Sequence, residues 1–349
     1  MWPLHAAKNA LKYSLIKGGL ELTSNPLMHR LFPEAGGRGL IFTLHHVRPQ
    51  QDKLFDPNDI LSITPDFLEV SIRVALEQGL TPVHVHDLPD LLNNTTDKRN
   101  FVAFTLDDGY KNNAEFAVPI FRKFNIPYTI FISPGFVDRS RTIWWETAAA
   151  LTREANSFRF DFGAGTETVQ CQTYTEKFTA FQRLANLVQS INEDVAVQRI
   201  DNAARANQIS PINIVDELIM STSDIQSLAS DPFAHFGAHT VNHINLKRAT
   251  SIRLKQEVED SISLLNQITG QTPRSFSYPY GWKTAVSERE SNAIADVGIR
   301  VAVTTQPGIL TSESLTQLTT LPRVSLNGRF QKRRYVKALI SGIPFKLIK

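Results

Sequence analysis

Short apolar runs rich in β-forming residues alternate with helical stretches along most of this 349-residue chain, and that alternation constrains its fold more than any other feature. Strand-like runs fall at 40–47, 81–86, 101–107, 129–133, 235–239, 275–278 and 301–304, with helical patterns at 65–78, 115–124, 252–269 and 285–296. Strands that take turns with helices build βα units around a parallel sheet or barrel. A hydrophobic content of 42% supplies a sizeable core, and barrels commonly reach this length as one domain. The sequence has no low-complexity tract, sustained heptad or repeat of fixed period.

Three segments carry chemistry. The buried run Phe101-Val102-Ala103-Phe104-Thr105-Leu106 ends in Asp107-Asp108-Gly109, a turn signal at the end of a strand, where α/β folds place their sites. Alone, Asp-Asp-Gly reads as well as a solvated turn. Two adjacent carboxylates sharing a site repel unless a cation intervenes. His239 and His243 stand four apart, and the neighbouring Gly237 and Asn242 point to a strand end and a turn rather than a long helix. Alone, such a pair is as ordinary as any surface pair. One Asp with two His can hold a divalent ion and leave one side open, while the second Asp stays free to act as a base. The third segment, Phe276-Ser277-Tyr278-Pro279-Tyr280-Gly281, makes a rigid loop with an apolar wall and an exposed backbone N–H at Tyr280, suited to a small acyl group and its oxyanion. Alone, it is a Pro-Gly turn with core aromatics.

Taken in this order, the three segments resemble the polysaccharide deacetylases, carbohydrate esterase family 4 or the NodB homology domain. Thr105 to Gly109 stands for the first motif, T-F-D-D-G, with Leu106 for Phe. His239 to His243 stands for H-[ST]-x-x-H, and Ser277 to Tyr280 is a looser match to R-x-P-Y. The resemblance implies a distorted (β/α) barrel of about seven strands that hydrolyses N-acetyl, sometimes O-acetyl, groups on glycans with a divalent metal, commonly zinc. By position it makes Asp107 the general base, Asp108, His239 and His243 the metal ligands, and Tyr280 the oxyanion donor, with Pro279 in the acetyl wall. Two family residues are missing. The third-motif Arg is Ser277 here, and no His follows His243 to act as the acid. Leu40 to Val47 resembles the early Y-H-x-V strand of the poly-N-acetylglucosamine deacetylases, which makes His45 the acid candidate, with His46 second and a packed core histidine as the bland alternative. Arg323, in Leu321-Pro322-Arg323-Val324, is the candidate partner that keeps Asp107 ionised.

The expected organisation is an amphipathic segment at 1–38, the barrel at 39–328 and a basic segment at 329–349, with a mostly helical insertion at about 136–230. Near its start, Thr142-Ile143-Trp144-Trp145-Glu146 offers Trp145 as part of a sugar-stacking rim, or both indoles as anchors of the insertion. A net charge of +3 gives no case for nucleic-acid binding. The single cysteine, Cys171, excludes an internal disulfide and a Cys-based metal site, and fits a reducing compartment. Lys8, Lys12 and Lys17 interrupt what would be a signal peptide's apolar core. The terminal segments read either as helices packed on the barrel or as surfaces for peripheral contact with an anionic membrane. The resulting expectation is a cytoplasmic deacetylase, with contact at the inner membrane face left open, acting on an acetylated glycan or a lipid- or nucleotide-linked sugar of the N-acetylglucosamine type. An O-deacetylase, another amidohydrolase and an inactive glycan-binding barrel are the alternatives.

Overall fold

The computed structural model describes residues 3–347, and side chains from residue 11 onward, so the outermost residues of the two terminal segments lie outside the described residues. Eight parallel strands form one curled sheet: β1 (Gly39–Leu44), β2 (Leu80–Pro82), β3 (Asn100–Leu106), β4 (Tyr128–Ile132), β5 (Ala234–Ala238), β6 (Ser275–Ser277), β7 (Val301–Val303) and β8 (Val324–Ser325). Their order is β7-β6-β5-β4-β3-β1-β8, with β2 also paired to β3. This is a distorted (β/α) barrel. Its strands read as unbroken apolar runs because helices cover one face and the interior buries the other; β1 is buried at every residue and β3 at all but its first.

Register explains the distortion. Residues 39–44 of β1 pair one for one with residues 101–106 of β3. The other edge of β3 is shared, because β2 takes residues 100–102 and β4 takes 104–106. The run 81–86 is therefore a strand only as far as Pro82; beyond it β4 occupies the edge, and Val85–Asp87 forms a 3₁₀ turn instead. The sheet's two edges meet through residues 321–325. Leu321 bridges Val303 of β7, and Val324–Ser325 pairs with Phe42 and Thr43 of β1.

The helical pattern at 285–296 becomes the helix Glu288–Asp296, which starts later because Ser287 and Glu290 form a capping box. Within 136–230 lie the helices Trp144–Glu154, Tyr174–Ser190, Glu193–Ala206, Pro211–Leu218 and Thr222–Ala229. An unexpected hairpin, Ser157–Asp161 with Thr166–Gln170, interrupts them, its turn held by Asp161 Oδ1, which accepts from the N–H groups of Gly163 and Gly165. At the chain ends, the helix Pro3–Thr23 lies against Arg333–Ile340, with Leu20 packed on Tyr335 and Ala338. Arg333–Ile340 in turn packs on the helix Pro65–Glu77.

His84, His86 and His235 fill the space where β2 ends and β5 begins. The His84 and His86 rings stack with centroids 4.9 Å apart, and His86 and His235 are 4.1 Å apart. Burial lowers all three pKa values, His86 to about 2 and His235 to about 3, so the rings are neutral in the folded chain. An unfolded histidine takes up a proton near pH 6.5. Stability is therefore full above that pH and falls as the pH drops below it, because only the unfolded chain binds the protons. Thermal melts should show a lower Tm at pH 5.5 than at pH 7.5, on the order of the shift expected from uncompensated histidine protonation, and His86→Leu should flatten that dependence. An equally steep profile in the variant would remove these histidines from the account.

Candidate active site

The strand ends bring the predicted residues together. Asp107 and Asp108 follow β3, His45 follows β1, His239 follows β5, and Ser277 ends β6. Asp108 and Gly109 both have positive φ, 75° and 76°. Glycine is required at 109, where a Cβ would stand 2.6 Å from Ile132 Cδ1. This turn swings the two carboxylates to different partners.

Asp107 faces Arg323, which immediately precedes β8. Oδ1 accepts from Nη1 at 2.8 Å and Oδ2 from Nη2 at 2.6 Å, a bidentate pair. The other three guanidinium N–H donors reach Thr105 Oγ1 at 3.0 Å, Ser277 Oγ at 3.0 Å and the Thr304 carbonyl at 2.9 Å. All five donors of Arg323, only 1% exposed, are thus satisfied. Ser277 Oγ also donates to Asp107 Oδ2 at 3.3 Å. Burial alone would raise the Asp107 pKa, but the charge and hydrogen bonds of Arg323 outweigh it and hold the carboxyl below its ordinary range.

Asp108 faces the histidines. Its Oδ1 lies 3.4 Å from Nε2 of His239 and 3.4 Å from Nε2 of His243. That oxygen is buried and has no hydrogen-bond donor. The Ser277 carbonyl accepts from His239 Nδ1 at 2.6 Å, so the proton sits on Nδ1 and the Nε2 lone pair points to Asp108. Burial lowers the His243 pKa to about 3, which keeps that ring neutral. Burial opposes ionisation of Asp108, and positive charge in the pocket is what holds its carboxyl low. Three potential ligand atoms, one each from Asp108, His239 and His243, therefore converge in a buried pocket where Asp108 Oδ1 lacks a donor. Two ligands bound tetrahedrally to zinc stand about 3.4 Å apart, so the residues fit a divalent ion. They are the one group of this kind among the described residues.

The loop of His239 to Asn245 is held by carboxylates from outside it. Glu257 Oε2 accepts from Val241 N and Asn242 N at 2.8 and 2.9 Å, and Glu193 Oε2 accepts from Asn245 N at 2.9 Å. The Tyr280 hydroxyl donates to Glu193 Oε1 at 2.5 Å and accepts from Trp144 Nε1 at 3.0 Å. Burial raises the Glu193 pKa, and burial together with Glu193 raises that of Tyr280 well above the ordinary phenol. Sequence reading missed Glu193; its signal, an acidic residue in the first turn of an insertion helix, is common to many helices. It also missed Ser277 as a partner of Asp107.

Two readings need correction. Trp144 and Trp145 are buried and form no exposed rim. Trp145 donates to the Tyr110 hydroxyl at 3.0 Å and its ring lies 4.7 Å from that of His243. Both indoles sit in the first turn of a helix that packs on Tyr174–Ser190 and Glu193–Ala206, and through Tyr280 and Tyr110 they anchor it to the barrel. The exposed aromatic beside the site is Trp282, 53% exposed, with its ring 6.0 Å from Tyr280. His46, the second acid candidate, is a core histidine. It is fully buried, bonded to Asn112 at 2.8 Å, and packed on Tyr110. His45 follows Leu44, which pairs with Leu106, so it lies across from Asp107 at the strand ends.

A curled parallel barrel with its chemistry at the strand ends is the architecture of a (β/α)-barrel enzyme. Residues 94–302 match the family model described as polysaccharide deacetylase, and the chain belongs to that family. Among solved structures it is similar to the putative polysaccharide deacetylase BA0330 from Bacillus anthracis, with 16% identity and a TM-score of 0.54 over 86% of this chain and 68% of that one. It is also similar to IcaB from Ammonifex degensii, with 14% identity and a TM-score of 0.53 over 88% and 98% of the two chains. The Streptococcus pyogenes deacetylase PplD shares 15% identity and a TM-score of 0.50 over 83% and 93%. No curated protein matches the sequence.

Removing Arg323 leaves the Asp107 carboxylate buried without its partner. Arg323→Met should lower the unfolding free energy by about 3–5 kcal/mol in urea titrations, and Arg323→Met with Asp107→Leu should recover much of that loss. A single variant as stable as the parent would show the pair to be dispensable to the fold.

Proposed function

We propose that this chain hydrolyses N-acetyl groups on a glycan or glycoconjugate of the N-acetylglucosamine type, releasing acetate. The observation that carries the reading is the division of labour between adjacent carboxylates. Asp107 is held ionised by a bidentate arginine, while Asp108 converges with His239 and His243. In this reading Asp108, His239 and His243 hold a divalent ion, zinc by the habit of the family. When bound, it polarises the acetyl carbonyl and lowers the pKa of water.

The protein's own groups do the rest. Asp107 takes a proton as water adds to the carbonyl carbon, and the Arg323 fork keeps its oxygens oriented. The Tyr280 N–H donates to the oxygen that gains charge, at a backbone turn with φ 62°. His45 passes a proton to the nitrogen as the C–N bond breaks, leaving a free amine and acetate. Pro279 and the buried face of Trp145 form the apolar wall for the acetyl methyl. Trp282 takes over the sugar-stacking role assigned in the sequence to Trp145.

Beyond β1, a cleft of about 260 Å³ is lined in part by Arg48, Gln50, Gln51, Gln331 and the exposed ring of Tyr174. Amide side chains and a flat ring suit hydroxyls and sugar faces, which supports a substrate longer than one sugar. A lipid- or nucleotide-linked sugar, and a cytoplasmic setting at the inner face of the membrane, belong to the same proposal; cell fractionation tests the latter.

Acetate release from N-acetylglucosamine oligomers, measured after chelation and again after zinc is restored, tests the reaction. Activity that returns with zinc supports it. A protein that binds oligomers in every metal state but never releases acetate is a glycan-binding barrel, and release from O-acetyl esters alone makes it an O-deacetylase. Asp107→Asn should keep the metal and lose at least about 100-fold in kcat, whereas His239→Ala should lose both. Trp282→Ala should raise KM several-fold with kcat nearly unchanged, the mark of lost binding rather than lost chemistry.

A further inference from the structure

The helix Pro3–Thr23 is apolar on two opposite sides. One side packs on the protein through Leu20, with Ile16 beside it. On the other, Leu11, Leu15 and Leu22 fall within a 40° arc of a helical wheel. They are 61%, 67% and 58% exposed. The next helix, Pro26–Leu31, continues the pattern with Leu27 and Leu31 exposed, followed by an exposed Phe32. Scattered exposed leucines are ordinary on any surface, but a contiguous set marks an interaction face.

Charge identifies what that face meets. Residues 11–32 and 329–347, which pack together, contain nine Lys and Arg against a single acid, Glu21, while the whole chain carries 37 against 34. Glu21 is engaged by Arg334, Lys332 and Tyr335, Arg333 pairs with Glu77, and Arg329 with Asp59. Among the described residues Lys12, Lys17, Arg30, Lys337 and Lys346 have no salt-bridge partner. Exposed leucines on terminal segments rich in uncompensated cations are the complement of an anionic lipid surface, where acyl chains receive the leucines and headgroups the cations. Among the described residues no helix is long and apolar enough to cross a membrane, so the helix would lie on it.

We propose that the leucine stripe of the N-terminal helix, together with the cations of both terminal segments, docks the protein on an anionic bilayer surface. This builds on the membrane setting offered above but not on deacetylation, so failure of either leaves the other standing. The test is flotation of the full chain with vesicles of phosphatidylcholine alone, or with about 30% phosphatidylglycerol added. The protein should float with the anionic vesicles only, and about 0.5 M salt should weaken that binding. The triple variant Leu11→Ser, Leu15→Ser, Leu22→Ser should bind at least about tenfold more weakly while keeping the parent Tm, because the replaced side chains are exposed. Lys12→Glu with Lys17→Glu should weaken binding without touching the stripe. No flotation with anionic vesicles, or undiminished flotation of the triple variant, overturns the proposal. So does sedimentation equilibrium showing a dimer that the triple variant dissolves, since a second copy would then cover the leucines.

Discussion

The buried pair of Arg323 and Asp107 ties the barrel to its site. Arg323 sits on the stretch of chain that joins the two edges of the sheet, with Leu321 on β7 and Val324 on β1. Its guanidinium crosses the interior to a carboxylate at the end of β3 and, on the way, touches residues of three strands or strand ends: Thr105, Ser277 and Thr304. A buried charge pair contributes little to stability unless every remaining donor finds an acceptor. Here each of them does, so closing the barrel and orienting the Asp107 carboxylate are the same event.

The second constraint lies in the backbone. Asp108, Thr240, His243 and Tyr280 are four of the seven non-glycine residues with positive φ among the described residues, and all four belong to the site. Side chains other than glycine resist that conformation, and it persists only where surrounding bonds over-determine it. Glu257 and Glu193 supply those bonds for the histidine loop, and Glu193 and Thr305 for Tyr280. The side chains of the candidate site are thus aimed by turns that the chain would not adopt unaided.

Much of this was legible in the sequence, for reasons that differ from place to place. Strands buried on both faces leave continuous apolar runs, so β3, β4 and β5 could be placed within a residue, whereas the run at 40–47 outlasts β1 by three residues. The grouping of Asp108, His239 and His243 could be read because side chains able to hold a metal must gather at strand ends. Arg323 could be proposed because a missing charge had to be supplied from elsewhere. The failures share a cause as well. Trp145 was misread because a pair of indoles looks alike whether it faces solvent or a barrel wall, and only packing decides. The hairpin at 157–170 was missed because it is short, half exposed and framed by helices. Glu193 carries no local mark: its importance depends on meeting Tyr280, 87 residues away.

That last contact has a consequence for how this architecture can diversify. Glu193 belongs to a segment that interrupts the barrel, yet it grips both the loop after β5 and the ring of Tyr280. The segment is therefore not a detachable ornament whose exchange would retune selectivity while leaving the reaction alone. A chimera that imports another enzyme's segment inherits its own glutamate–tyrosine handshake or none. Modularity in this protein ends at Glu193: whatever replaces the segment must bring a carboxylate to the same spot, or rebuild two loops of the barrel along with it.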